Sequence, residues 1–409
     1  MRFLFTTLPG SGHFNPLVPT ARALRVRGHD VAFAGSPTFA PAIEAAGFEA
    51  HPAGPAWLEQ LSDPVMQKIM AAEFFVDLIR MGMVEGIIRA AKATEADAIV
   101  RGSGELGGLV AGAILEVPVA SAAPAAAKFF ESMIRPGVAR AAAEHGLDGD
   151  RVTDVDFEML RIDRTPPSLE MPGYVAPANQ INVRPEPFDG GGELPAWFDD
   201  LGGRPLVYVT LGTVMNGNIP LFRLIADALA NQPFDVVIAL GHGIPREALG
   251  HVADNIRVGG YLPQARILER ASAVVNHGGY NTVSAALGAG LPLFLLPMGA
   301  DQPYNTERCI SAGAALGVIQ PQPDGPPSAA PPPFTPPDAA VIRDGTRRLL
   351  DEPAFREAAR GIAAEIAAMP PAAYAAQRLE EAVLERQAAK LQGSGTPISE
   401  ARPLSVGFA

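Results

Sequence analysis

Two histidines and one acidic-amide pair stand in settings that could do chemistry: His13 at the end of Pro9-Gly10-Ser11-Gly12-His13, His277 at the head of His277-Gly278-Gly279-Tyr280-Asn281-Thr282, and Asp301-Gln302. The second setting is the richest. An apolar run, Ala273 to Val275, turns at the glycines into an Ala/Leu segment and re-emerges as the apolar run Leu291 to Leu296. That is a strand, a glycine turn, a helix and a strand. The glycines let backbone approach a ligand, and Asn281 is expected to cap the helix. The helix then aims free N–H groups and a positive dipole end at whatever sits above the turn. A phosphate is the expected guest. Neither G-x-G-x-x-G nor G-K-[ST] is present here, which excludes a dinucleotide fingerprint and a P-loop. His277 can donate to a phosphate oxygen, and Asp301 and Gln302 suit hydroxyls. Taken singly, His277 and Asp301 read as caps of a turn and a helix; taken together they point to phosphate plus polyol, hence a nucleotide sugar.

The elements around His13 give it a similar setting. Arg2 to Leu8 reads as a buried strand, Pro9 to His13 as a glycine-rich loop, and Asn15-Pro16 as a helix start, with Gly28 ending the helix. Val31 to Ala34 and Pro41 to Ala46 continue as strand and helix, so a parallel sheet is expected. His13 then lies beyond the carboxyl end of the first strand and ahead of a helix N-terminus, where ligands bind in such sheets. The dipole there disfavours imidazolium and leaves a neutral ring able to accept a proton near pH 7. Alone, the residue reads rather as a histidine bonded to its own loop.

Residues 57 to 93 carry Trp57, Met66, Met70, Phe74 and Met81 in a mostly helical pattern, suited to an apolar acceptor pocket or simply to core packing. Asp97 to Val100, Glu105 to Leu115 and Val117 to Ser121 read as strand, helix and strand, and Ala122 to Ala143 as a helix. Residues 191–204 are a linker rich in Pro, Gly and acidic residues, separating a domain of residues 1–190 from one of 205–370. Pro205 to Leu211 repeats the opening device as a strand running into Gly212-Thr213. The helix Pro220 to Ala230 and the strands Val236 to Leu240 and Ile256 to Val258 follow. Pro321 to Pro337 is expected to be an exposed extended loop, and 392–409 a disordered tail.

Composition narrows the classes. The 409 residues with 48% hydrophobic content suit two cores, and a net charge of −12, from 44 acidic against 32 basic residues, disfavours nucleic-acid partners. The single cysteine, Cys309, cannot form an internal disulfide and fits a reducing cytoplasm. The first ten residues lack a signal-peptide pattern, and Leu106 to Ala127, interrupted by Glu116, Pro118 and Pro124, is not read as a membrane span. Near the glycine turn no carboxylate cluster of metal-ligand character appears, so no metal site is expected.

Three motifs in order, Tyr261-Leu262-Pro263-Gln264, His277-Gly278-Gly279-Tyr280-Asn281-Thr282 and Asp301-Gln302, together with Gly12-His13-Phe14-Asn15-Pro16, resemble those of family 1 nucleotide-sugar glycosyltransferases of the bacterial natural-product group. The resemblance covers nearly the whole chain outside the proline segment and the tail. It implies a GT-B fold, two facing Rossmann-like, doubly wound α/β domains with an interdomain cleft, and a last helix, 371–391, packing back on the first domain. It implies an inverting, metal-independent hexosyltransferase-type enzyme without a cofactor, using a TDP- or UDP-sugar as co-substrate and a small, largely apolar acceptor. His13 would be the base. Thr213, Tyr261, Leu262, Gln264, His277, Gly278, Gly279, Asn281 and Thr282 would bind the nucleotide and its phosphates, and Asp301 and Gln302 the sugar. A homodimer is compatible with it. Where the family carries an aspartate that orients the base, this chain has Gly102; Glu105, Ser103 or a backbone carbonyl, or no partner at all, are the alternatives. The rival readings are a catalytically silent paralogue that binds a nucleotide sugar or a partner enzyme, and a nucleotide-sugar epimerase.

Overall fold

The computed structural model describes residues 1–55, 82–122, 125–154, 157–188, 191–213, 216–319 and 334–391, with backbone alone for 125–134 and 390. Trp57, Met66, Met70, Phe74 and Met81 lie outside the described residues, as do the tail and nearly all of the proline segment.

In chain order the first half contains β1 (Arg2–Thr6), α1 (Ser11–Phe14), α2 (Val18–Val26), β2 (Asp30–Gly35), α3 (Ala40–Ala45), β3 (Glu49–Pro52), α4 (Val84–Ala93), β4 (Ala98–Gly102), α5 (Gly107–Leu115), β5 (Val119–Ala122), α6 (Ala125–Glu144), α7 (Gly149–Val152), β6 (Leu160–Asp163) and β7 (Gln180–Asn182). The second contains β8 (Leu206–Thr210), α8 (Ile219–Leu229), β9 (Asp235–Ala239), β10 (Ile256–Gly259), α9 (Gln264–Leu268), β11 (Ala273–Asn276), α10 (Tyr280–Gly288), β12 (Leu293–Leu295), α11 (Gln302–Ser311), β13 (Ala315–Gly317), α12 (Ala339–Asp351), α13 (Pro353–Ala368) and α14 (Ala372–Leu391). No described helix is long and apolar enough to cross a membrane.

The strands form two parallel sheets, ordered β3-β2-β1-β4-β5-β6-β7 and β10-β9-β8-β11-β12-β13. Both run outward in two directions from a central pair, β1/β4 and β8/β11, which is the doubly wound order. The central strands are largely apolar because both of their faces are covered, whereas the outer strands Glu49–Pro52 and Gln180–Asn182 are polar and part-exposed. Phe3, Phe5, Ala98 and Val100 pack one way, with α2 and α14, while Leu4 and Ile99 pack the other, with α4 and α5. In the second sheet Val207, Val209, Ala273 and Val275 face α8 and α12, and Tyr208 and Val274 face α10 and α13.

The two halves are stitched together. Leu169, which follows the last residues of β6, is buried in the core of the second half. The Ser168 N–H donates to Oε2 of Glu365 at 3.0 Å, and Ala372 N–H donates to Oε1 of Glu186 at 3.0 Å. Chain reversal after α13 returns α14 to the first sheet, where Ala375, Ala376, Leu379, Ala382 and Val383 join its core.

Candidate active site at two facing switch points

In a doubly wound sheet the loops after the two central strands part to opposite faces and leave a crevice between them. Here the first crevice is flanked by the loop after β1, which carries His13, and the loop after β4, which carries Ser103. The second is flanked by the loop after β8, with Gly212 and Thr213, and the turn after β11, His277-Gly278-Gly279.

The helix expected to start at Asn15 starts earlier. Gly10, at φ 110, ends the loop, and its carbonyl accepts from the N–H groups of His13 (3.0 Å) and Phe14 (3.2 Å), so Ser11–Phe14 already forms a turn. Asn15 is helical and makes no cap bond. His13 is therefore inside the first turn, not ahead of it, and the main cause of its lowered pKa is burial of the ring, with the bond to Ser103 opposing. Nδ1 of His13 lies 3.1 Å from the carbonyl oxygen of Ser103. A carbonyl can only accept, so Nδ1 carries the proton and Nε2 presents a lone pair. Of the partners considered for this ring, the Ser103 carbonyl is the one in place.

Glu105 does not reach His13. Its carboxylate accepts from the Thr6 hydroxyl and, at 3.2 Å, from the Gly108 N–H at the start of α5, so it ties β1 to a helix end that would otherwise lack acceptors. It is wholly buried, and burial raises its pKa against the influence of Thr6 and Arg101. Gly102 ends β4. A Cβ added there would meet Leu17 Cδ1 and the Thr6 carbonyl at 3.2 Å.

The second crevice is built around the imidazole of His277. A Cβ on Gly279 would lie 2.4 Å from its Nε2, and one on Gly212 would lie 2.6 Å away. Glycine at both places is what lets the ring lodge between the two loops. Gly278, at φ 85, makes the turn itself; a side chain there would strike the Thr306 hydroxyl at 2.9 Å. Oδ1 of Asn276 accepts from the Gly278 N–H at 2.7 Å, and Nδ2 of Asn305 donates to the Gly278 carbonyl at 2.9 Å. Sequence reasoning missed both asparagines, although Asn276 two residues before Gly278 is an Asx-turn signal. Burial lowers the His277 pKa to about 4, so the ring is neutral near pH 7. Among the described residues, Nδ1 of His277, Nδ2 of Asn276 and Oγ1 of Thr306 are buried with no hydrogen-bond partner, an imbalance that a bound polar guest would relieve.

Asn281 is not the helix cap. Gly279 occupies that place, and Asn281 is the second residue of α10. Its Nδ2 instead crosses to the other half and donates to the carbonyl of Gly12, 2.6 Å away and one residue before His13. Tyr280 does the same next door, its hydroxyl donating to the Arg164 carbonyl. The first turn of the phosphate-type helix is thus held against the loop that carries the candidate base.

The remaining residues differ in exposure and partners. Thr213 is exposed, Thr282 is buried within α10, and Leu262 is buried. Gln264 opens α9 and is half-buried. Tyr261 stacks on His242, with ring centroids 4.1 Å apart and planes 13° from parallel. Oδ2 of Asp301 accepts from the Tyr280 N–H (3.3 Å) and from Nδ2 of Asn305 (2.8 Å), and burial raises its pKa. Oε1 of Gln302 accepts from the N–H groups of Met298 (2.7 Å) and Gly299 (3.1 Å). Among the described residues no group of three His, Cys, Asp or Glu is arranged to hold a metal ion.

Two facing doubly wound units with ligand loops at both switch points define a GT-B glycosyltransferase. Comparison with known proteins agrees: the SnogD glycosyltransferase of Streptomyces nogalater superposes with a TM-score of 0.72 at 27% identity over 94% of this chain and 99% of that one. The spinosyn rhamnosyltransferase SpnG, solved in complex with spinosyn aglycone, superposes with a TM-score of 0.75 at 26% identity over 93% and 100%. The L-demethylnoviosyl transferase of Streptomyces niveus is 31% identical over 406 residues, 91% of this chain and all of that protein. Residues 223–382 match the family described as erythromycin biosynthesis protein CIII-like, C-terminal domain. The chain belongs to the family 1 antibiotic glycosyltransferases and is a natural-product glycosyltransferase that moves a sugar from a nucleoside-diphosphate sugar.

Proposed function

We propose that the enzyme inverts the anomeric centre in a single displacement, with His13 as general base and a small, largely apolar molecule as acceptor. The observation that carries this reading is the Asn281 to Gly12 bond: it joins the helix N-terminus beneath the donor turn to the loop whose next residue presents a free imidazole lone pair. In this reading Nε2 of His13 takes the acceptor proton as the oxygen attacks the anomeric carbon. The leaving diphosphate rests on the Gly279 amide, with His277, Asn281, Thr282 and Thr213 around it, while the Gly278 amide stays bonded to Asn276 and fixes the turn. The positive end of α10 lies beneath it, supplying charge stabilisation through fixed dipoles. Tyr261, Leu262 and Gln264 hold the nucleoside, for which a thymidine or uridine diphosphate is the proposed carrier, and Asp301 and Gln302 flank the sugar hydroxyls.

The test is transfer from TDP- and UDP-sugars to a panel of apolar hydroxylated acceptors, followed by mass spectrometry and by the anomeric coupling constant of the product. An α-configured donor must give a β-product. A product of retained configuration would refute the single displacement.

A further inference from the structure

We propose that the acceptor group is an acidic hydroxyl, a phenol or an enol, and not an aliphatic alcohol, because the imidazole that receives its proton is held by a neutral carbonyl. This deepens the reading of His13 as base and rests on it. Proton acceptance at Nε2 makes an imidazolium whose second N–H points at the Ser103 oxygen, 3.1 Å away. A carbonyl fixes the tautomer and orientation of such a ring, but it supplies only a dipole to the cation. A carboxylate supplies a full opposite charge.

Glu105 and Glu158, the buried glutamates of this half, are committed elsewhere. Glu105 is spent on the Thr6 hydroxyl and the Gly108 amide. Glu158 is clamped between Arg101, at 2.7 Å, and Arg161, at 2.5 Å. Among the described residues His13 has no carboxylate partner, and its burial works against the charged ring as well. Gly102 leaves no room for a substitute without displacing Leu17.

In the step itself the acceptor O–H bond breaks and its proton goes to Nε2. The oxygen electron pair forms the new bond to the anomeric carbon, and the old bond from that carbon to the diphosphate breaks, leaving its electron pair on the diphosphate oxygen. The earlier the proton leaves in this displacement, the more the step depends on the acidity of the hydroxyl and on how well the resulting imidazolium is stabilised. A phenol ionises near pKa ~10, as tyrosine does, and an aliphatic alcohol several units higher, so part of that gap falls on the base. A weakly supported imidazole meets the first demand far more readily than the second.

The experiment offers the intact enzyme matched acceptors that share one aromatic ring, a phenol and the corresponding hydroxymethyl compound, with TDP- and UDP-sugars as donors. The phenol should be glycosylated with kcat/KM at least ~100-fold above that of its partner. Comparable values for the two would overturn the proposal while leaving glycosyl transfer intact. Transfer to neither, across a panel of phenols, would count against the reading of the base and against this proposal with it. The His13→Ala variant supplies the second arm, using nitrophenols chosen to be ionised or un-ionised at the assay pH. Its loss should be ~100-fold or more with the un-ionised acceptor and at least ~10-fold smaller with the ionised one; equal losses with both would overturn the proposal.

Discussion

One methyl group should disable the donor turn. Gly279 has an ordinary φ of −64, so alanine there carries no backbone penalty. Its Cβ, however, would fall 2.4 Å from Nε2, 2.9 Å from Cε1 and 3.3 Å from Cδ2 of His277, well inside van der Waals contact. The ring must leave its slot by about 1 Å, since carbon to nitrogen contacts settle near 3.5 Å. Overpacking of this kind costs ~1–3 kcal/mol of stability. The larger effect is on binding, because a hydrogen bond to a charged phosphate is worth ~1.5–3 kcal/mol and depends on placement. Gly279→Ala should therefore weaken the affinity for thymidine or uridine diphosphate by about 10- to 100-fold in calorimetry, with a drop of a few degrees in Tm. Gly212→Ala gives a companion measurement: the same ring is met at 2.6 Å, but φ is +80, so ~1–2 kcal/mol of backbone strain is added and the stability loss should exceed that of Gly279→Ala. Unchanged nucleotide affinity in Gly279→Ala would refute the claim that the His277 slot is the diphosphate site.

Three further outcomes are expected. His13→Ala should cut turnover of un-ionised acceptors by ~10² to 10⁴ while nucleoside-diphosphate affinity stays within twofold; equal loss of both would mean a structural histidine. His277 is held neutral by burial, at about 4 against an ordinary 6.5, so the unfolded chain binds more protons than the native state between those values, and the group's contribution to stability falls as pH drops through that window. Denaturant unfolding at pH 7 and pH 4.5 should show a pH-linked loss up to ~3 kcal/mol larger in wild type than in His277→Asn, and identical slopes would contradict the burial argument. Because charge stabilisation is assigned to the turn and the α10 dipole, activity should survive EDTA; loss on chelation with rescue by magnesium would contradict that assignment.

Hydrophobic runs and glycines carried most of the fold in the sequence. The central strands of both sheets are strongly apolar because both of their faces are buried, and they were legible to within a residue or two. The four strands that were not legible are short outer members, among them Glu49–Pro52, Leu160–Asp163 and Gln180–Asn182, whose charged and amide residues hide the alternation; they exist because a neighbouring strand offers hydrogen bonds, which no local pattern records. Helix starts failed for a different, local reason at Asn15 and Asn281. Each asparagine has cap chemistry, but at both places a glycine upstream, Gly10 and Gly279, already holds the cap position, and that leaves the Asn281 amide to reach Gly12. Residue type marked candidate positions and was a poor guide to who touches whom. His13 and His277 were visible as isolated imidazoles beside glycine turns, whereas the fate of Glu105 depended on Thr6, a residue 99 positions away brought next to it by the β1/β4 pairing. That pairing also sets the Ser103 carbonyl beside the His13 ring, so the partner of this imidazole is a backbone atom whose position depends on sheet order and on no side chain at all.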